Sequence, residues 1–169
     1  MAMISQGVQD ALNEQINHEL FSAYIYLSMS AYFEHANLLG FAKWMRAQAQ
    51  EEVNHGMKLF DFVNDRGGRV LLKQIDNPPT EFKSPLEVFE HALKHEQAVT
   101  GMINKLYEVA AKANDFATQV ALQWFITEQV EEENSADIIV EQLKMIGNDR
   151  SALLMMDREL GARQPGAED

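Results

Sequence analysis

Residues 67–84 read Gly-Gly-Arg-Val-Leu-Leu-Lys-Gln-Ile-Asp-Asn-Pro-Pro-Thr-Glu-Phe-Lys-Ser, and the part this stretch plays decides the fold. Gly67-Gly68 stand where a helix C-terminus is commonly capped, and Asn77-Pro78-Pro79 break any continuation. On either side the chain runs for long spans with helix-like apolar periodicity and few breakers. About 18 connecting residues at ~3.3 Å each reach ~59 Å, whereas a 28-residue helix is only ~42 Å long. The segment can therefore carry the chain from one end of a helix bundle to the other. A structureless loop this long is otherwise rare between packed elements, so it is read as a crossover.

Working outward, the spacing predicts helices over residues 6–35 and 38–66 before the connector. After it, Ser84-Pro85-Leu86-Glu87 offers an N-cap serine, a proline at the first helical position and a glutamate for a capping box. The fourth helix starts near Asn114-Asp115 and ends at Gly147, and a short fifth helix covers about 149–160. Residues 161–169 read as a frayed, flexible tail. Short connections make helices one and two an antiparallel hairpin, and likewise three and four. The expected fold is all-α: an antiparallel four-helix bundle at about 6–146, two hairpins joined by one long crossover, plus a short C-terminal helix. At 169 residues, with 46% hydrophobic and 24% charged, the chain fits a single folded domain spanning 1–169.

Fourteen Lys and Arg against 26 Asp and Glu leave a formal charge of −12, which repels phosphate backbones and anionic lipid surfaces and attracts cations. Neither nucleic acid nor a membrane is an expected partner. The absence of cysteine excludes disulfides, thiolate nucleophiles, Cys-based zinc sites and iron–sulfur clusters. The N-terminus lacks a basic start followed by an apolar run, and the uncharged stretch 21–33 is too short and Ser-rich to span a bilayer. A soluble, cytoplasmic protein is expected.

Each long helix carries an inward stripe spaced by threes and fours, and each stripe has a glutamate near its middle: Glu19, Glu52, Glu96 and Glu132. The polar positions repeat. Glu19, Glu52 and His55 recur 77 residues later as Glu96, Gln129 and Glu132, and the same offset carries His18 onto His95 and Glu51 onto Glu128. Measured from the two hairpin turns at ~1.5 Å per residue, the six stripe groups fall within about one helical turn of the same height. They should converge. Two carboxylates ~4 Å apart repel by ~4 kcal/mol at an effective dielectric of 20, and desolvation adds to this, so positive charge must sit between them. Four carboxylates with a neutral imidazole and amide carry a charge that two divalent cations would cancel. Such oxygen-rich ligands suit ferrous iron or manganese, with zinc as a competitor.

A Glu from each of two helices with Glu-x-x-His from the other pair is the arrangement of ferritin-like di-iron proteins. Nearly the whole chain resembles the bacterial non-haem ferritins, through Asn17-His18-Glu19-Leu20, Gln50-Glu51-Glu52-Val53-Asn54-His55, Lys94-His95-Glu96-Gln97 and Glu128-Gln129-Val130-Glu131-Glu132-Glu133. The resemblance implies Glu19, Glu52 and His55 as ligands of a first iron and Glu52, Glu96 and Glu132 of a second, bridged by Glu52. It implies Gln129 as a neutral neighbour that hydrogen-bonds a ligand or bound oxygen species. Tyr26 would lie beside the pair, donating a hydrogen bond or an electron. Glu51, Glu128 and Glu131 resemble a third, weaker iron site. Trp124 is read as packing, and His18, His91 and His95 as lying on solvated or interface faces. Bacterioferritin differs at two places, with a second Glu-x-x-His where Glu132 stands and a haem-binding Met where Val53 stands, so haem is not expected.

The resemblance further implies iron storage and detoxification. Two Fe²⁺ would be oxidised by O₂ or H₂O₂, a ferroxidase reaction, and ferric oxyhydroxide laid down inside a homo-oligomeric shell of 24 subunits. Three other readings stay open at this point: a bundle that buffers divalent metal without turnover, a structural partner-binding protein, and an oxidase of organic substrates.

Overall fold

The computed structural model describes residues 3–163, which form α1 Gln6–His35, α2 Leu39–Asp65, α3 Pro85–Lys112, α4 Phe116–Ile146 and α5 Arg150–Leu160. The chain is thus all-α among the described residues, with helix limits at or beside those expected. Residues 164–169 of the expected tail lie outside the described residues.

The same local device ends three of the long helices. Asn37 (φ 59°), Asn114 (φ 54°) and Gly67 (φ 68°) each take the left-handed conformation just past a helix. The following amide reaches back to a carbonyl in the last turn: Leu38 to Phe33 at 3.0 Å, Asp115 to Ala110 at 2.9 Å, Gly68 to Val63 at 2.9 Å. These are Schellman closures, which satisfy end carbonyls and reverse the chain within a few residues. Asn37 and Asn114 are also 77 positions apart, so the internal repeat includes its turn. At the start of α3, Ser84 Oγ accepts from the Glu87 N–H at 3.1 Å, as the capping signature predicts.

Apolar contacts fix the helix directions. One cluster joins Phe33, Phe41, Phe89 and Leu143; a second joins Leu12, Leu59, Ile103 and Leu122. In sequence order α1 and α4 run from the second cluster to the first, while α2 and α3 run the other way. Because α2 and α3 are parallel, the link between them must return along the whole bundle. It does so against α1: Asn13 donates to the Arg69 carbonyl at 3.0 Å and accepts from the Leu71 N–H at 3.1 Å, and Ser28 donates to the Pro79 carbonyl at 2.6 Å. The hairpins meet along α1 and α3, and α2 and α4 stand apart across a groove of about 720 Å³.

Helix α5 seals one end of the bundle. Asp157 Oδ1 accepts from the Phe41 N–H at 2.9 Å, capping the start of α2, where Leu38 offers no side-chain acceptor. The backbones touch here: a Cβ on Gly40 would lie 1.6 Å from the Asp157 carbonyl oxygen, and one on Gly161 would lie 2.9 Å from Gly40 Cα. The described start of the expected tail is therefore not frayed. Gly161 packs on Gly40, and Arg163 is hydrogen-bonded to Gln48 and Glu51.

Gly→Ala in a helix is normally stabilising by up to ~1 kcal/mol. Gly40→Ala should do the reverse, costing roughly 1–3 kcal/mol through forced separation of α2 and α5, seen as a lower Tm in thermal unfolding.

Candidate metal centre

Between the two apolar clusters lies a buried polar layer made of Glu19, Gln48, Glu52, His55, Glu96, Gln129 and Glu132, every one at most 7% exposed. Each sits where its helix turns its core face inward, so the convergence follows from stripe spacing and from the directions of the helices. Candidate ligand atoms of Glu19, Glu52 and His55 lie within 4.8 Å of one another, as do those of Glu52, Glu96 and Glu132. Glu52 belongs to both groups. His55 is edge-on to Trp124, with ring centroids 5.3 Å apart, and its Nδ1 is 3.5 Å from Glu52.

Neutral donors surround the acids. Gln15 donates to Glu19 at 2.7 Å, Gln48 to Glu132 at 2.5 Å and to Glu52 at 3.3 Å, and Tyr26 donates its hydroxyl hydrogen to Glu96. Gln129 donates to Glu96 Oε2 at 3.2 Å and to the Glu96 carbonyl at 3.1 Å; Thr100 receives a third contact from the same amide and donates to Glu133 at 2.5 Å. Gln15, Gln48 and Thr100 escape a search for acids and histidines. Gln48 is nonetheless on the inward stripe, and Gln15 and Thr100 lie four positions from Glu19 and Glu96, the spacing of helical neighbours.

The outer acids are placed differently. Glu128 forms a third compact group with His55 and Glu132, again within 4.8 Å. Among the described residues Glu51 and Glu131 enter no such group: Glu51 is held by Arg163 at 2.7 Å, and Glu131 is exposed on the rim of the α2–α4 groove. His91 is exposed, as expected. His95 departs from its expected solvated or interface face: it is partly buried, with Nε2 2.7 Å from Ser22 Oγ and its ring edge-on to Phe21 and Tyr26.

Burial dominates the electrostatics. It pushes the Glu19 carboxyl up to about 7, and raises Glu52, Glu96 and Glu132 as well, with mutual repulsion adding to the effect on Glu52 and Glu132. The Tyr26 hydroxyl is raised by burial and then by the acids around it, so it remains a hydrogen-bond donor at neutral pH. Burial lowers His55 from 6.5 to about 4, leaving a neutral imidazole with lone-pair capacity for a cation.

Stability should follow. The buried acids ionise near 4.5 when unfolded and higher when folded, Glu19 at about 7, so their contribution falls as pH rises through that window. His55 acts oppositely: its contribution is present above 6.5 and is lost as pH falls toward about 4. In chelator-treated protein, Glu52→Gln is expected to be more stable than its parent. The gap should widen by up to ~1.4 kcal/mol per pH unit between about pH 5 and 7, since the histidine contribution is common to both. Denaturant melts across that range provide the measurement, and a constant gap would contradict the assignment.

Comparison with known proteins identifies the family. The ferritin family model, described as a ferritin-like domain, matches residues 9–146. The bacterial non-haem ferritin of Staphylococcus haemolyticus is 45% identical over 95% of this chain and 97% of its own length, and that of Bacteroides fragilis is 44% identical over 95% and 100%. Among solved structures, an open pore ferritin from the hyperthermophilic archaeon Archaeoglobus fulgidus superposes with a TM-score of 0.96 at 55% identity, covering 97% of this chain and all of that one. The fold thus has close counterparts along nearly the full chain, which belongs to the ferritin family alongside the bacterial non-haem ferritins.

Proposed function

We propose that this protein stores and detoxifies iron, taking up Fe²⁺ as substrate inside the bundle, oxidising it in pairs and releasing ferric product to a growing mineral. The observation that carries the reading is the pair of compact ligand groups sharing Glu52, all of them buried. Glu19, Glu52 and His55 take one ferrous ion, and Glu52, Glu96 and Glu132 take the other. When all four carboxylates are ionised, two divalent cations cancel their charge, which relieves the repulsion that otherwise holds protons on them. Hard anionic oxygen ligands favour Fe³⁺ over Fe²⁺, so the same side chains promote loss of an electron from each ion. Two electrons and two protons convert O₂ to H₂O₂; with H₂O₂ as oxidant they yield two waters. Pairwise oxidation avoids a lone one-electron reduction of oxygen.

Tyr26 and Gln129 serve this chemistry by holding Glu96 in place through donated hydrogen bonds. Glu128, with Glu51 and Glu131, lines the groove between α2 and α4 and offers a weaker third position for an ion leaving the pair. The net charge of −12 raises the local Fe²⁺ concentration. In this reading residues 1–169 make one ferritin-like domain, 24 copies assemble into a hollow cytoplasmic shell, and ferric oxyhydroxide forms within it.

Glu52→Ala combined with Glu96→Ala is expected to slow ferrous oxidation by more than about a hundredfold, followed as absorbance of ferric product after mixing with Fe²⁺ in air. Size-exclusion chromatography should show the assembly intact, because the substitution removes two carboxyls from the polar layer and leaves both apolar clusters untouched. An unchanged rate would falsify the proposal. In crystals soaked anaerobically in Fe²⁺, anomalous scattering at the iron edge should give two strong peaks flanking Glu52. Stoichiometric iron that yields no ferric product on admitting air would instead mark a buffer without turnover.

A further inference from the structure

The C-terminal end of the described chain reaches the metal centre from outside the bundle. The contact of α5 with α2, set by Gly40, Gly161 and Asp157, leaves only Ala162 between that anchor and Arg163. From there the guanidinium stacks over Trp44 at 4.6 Å from the ring centroid and forks: one nitrogen donates to Gln48 Oε1 at 3.0 Å, the other to Glu51 Oε2 at 2.7 Å. Both charged side chains are largely shielded, Arg163 at 25% and Glu51 at 18% exposed.

Each prong has a consequence. Because Oε1 of Gln48 accepts from Arg163, the amide nitrogen of Gln48 must face Glu132 and Glu52, where it donates to both. Glu51 meanwhile spends its charge on the guanidinium, and it is absent from the compact group that its neighbours His55, Glu128 and Glu132 form. The arginine therefore neutralises, at the groove edge, a carboxylate that an outgoing cation would also need.

Building on the third ion position proposed above, we infer that Arg163 is a positioning residue of the metal centre. It competes with a divalent cation for Glu51, so that an ion in the outer position gains this carboxylate only when the guanidinium leaves. The contact also couples the outer position to the inner one, since release of Gln48 Oε1 frees its amide to turn away from Glu132. An arginine suits this role because it stays charged at every working pH and its planar fork can engage both partners at once. The anchor on α2 keeps it close enough to return.

The test is anaerobic Fe²⁺ titration calorimetry on the assembled, chelator-treated full chain. With Arg163→Ala, the weak outer ion should bind about tenfold tighter, the change expected on removing a partly buried competing ion pair. Arg163→Lys, which keeps the charge but not the fork, should fall between the two. In a Glu51→Gln background the alanine substitution should have no effect on the outer ion, because the contested group is gone; a structural role alone would not produce this dependence. Outer-ion affinity that is unmoved or weakened in Arg163→Ala, with the two inner ions still bound, would overturn the inference while leaving the proposed function intact. No bound iron in any variant, the parent included, would overturn both. Should Arg163→Ala fail to assemble, iron-soaked crystals of the parent decide. An outer ion with the guanidinium displaced from Glu51 supports competition, and one bound with the pair unbroken refutes it.

Discussion

Four glutamates forced together in a dry layer impose the constraint around which the rest of the bundle is arranged. Placing carboxylates in low-dielectric surroundings is unfavourable, and placing several within hydrogen-bonding reach of one another is worse. Two responses are visible in the protein by itself: burial raises the carboxyls so that protons are retained, and amide and phenol groups donate to the oxygens that remain. Neither response adds to stability overall. The helices are held by the apolar clusters above and below the layer, with Phe33, Phe41 and Phe89 in mutual ring contact at one end and Leu12, Leu59 and Leu122 buried at the other. The bundle behaves as two hydrophobic cores clamping an acidic waist.

An internal repeat produces that waist economically and then departs from symmetry where the chemistry differs. The 77-residue offset reproduces the hairpin turn as well as the polar stripe, which is why both hairpins bring their acids to the same height. At two of the candidate ligand positions the halves differ: Glu52 is matched by Gln129 and His55 by Glu132. Of the two candidate groups that share Glu52, one consequently contains an imidazole and the other is all carboxylate, with the neutral amide of Gln129 at the position that repeats Glu52. The asymmetry gives the two candidate groups unlike surroundings within one layer. It also places His55 on the side where the α2–α4 groove admits solvent.

The groove and α5 belong together. Separating α2 from α4 exposes the edge of the acidic layer, and α5 with Arg163 folds back to cover part of it. The helix is too short to be stable alone, and its position depends on Gly40 and Gly161 lacking side chains and on the Asp157 carboxylate completing the cap of α2. A segment that reads as a frayed tail is thereby built into the perimeter of the acidic layer.

Much of this was legible in residue order because helices are local. Apolar spacing, Ser84-Pro85, Gly67-Gly68 and the length of the connector specify where helices begin, end and double back, since those signals act within a few residues. The layer residues Glu19, Glu52, His55, Glu96, Gln129 and Glu132 could be named because a repeat and a helical period together fix both face and height. Tertiary structure alone decided what depends on distances between remote segments. It gave Gln48 its orientation, took His95 out of solvent to meet Ser22, paired Glu51 with Arg163, and docked that arginine where a frayed end was expected. A pattern of threes and fours reports which way a side chain points; which partner it meets is settled by packing between elements far apart in the chain.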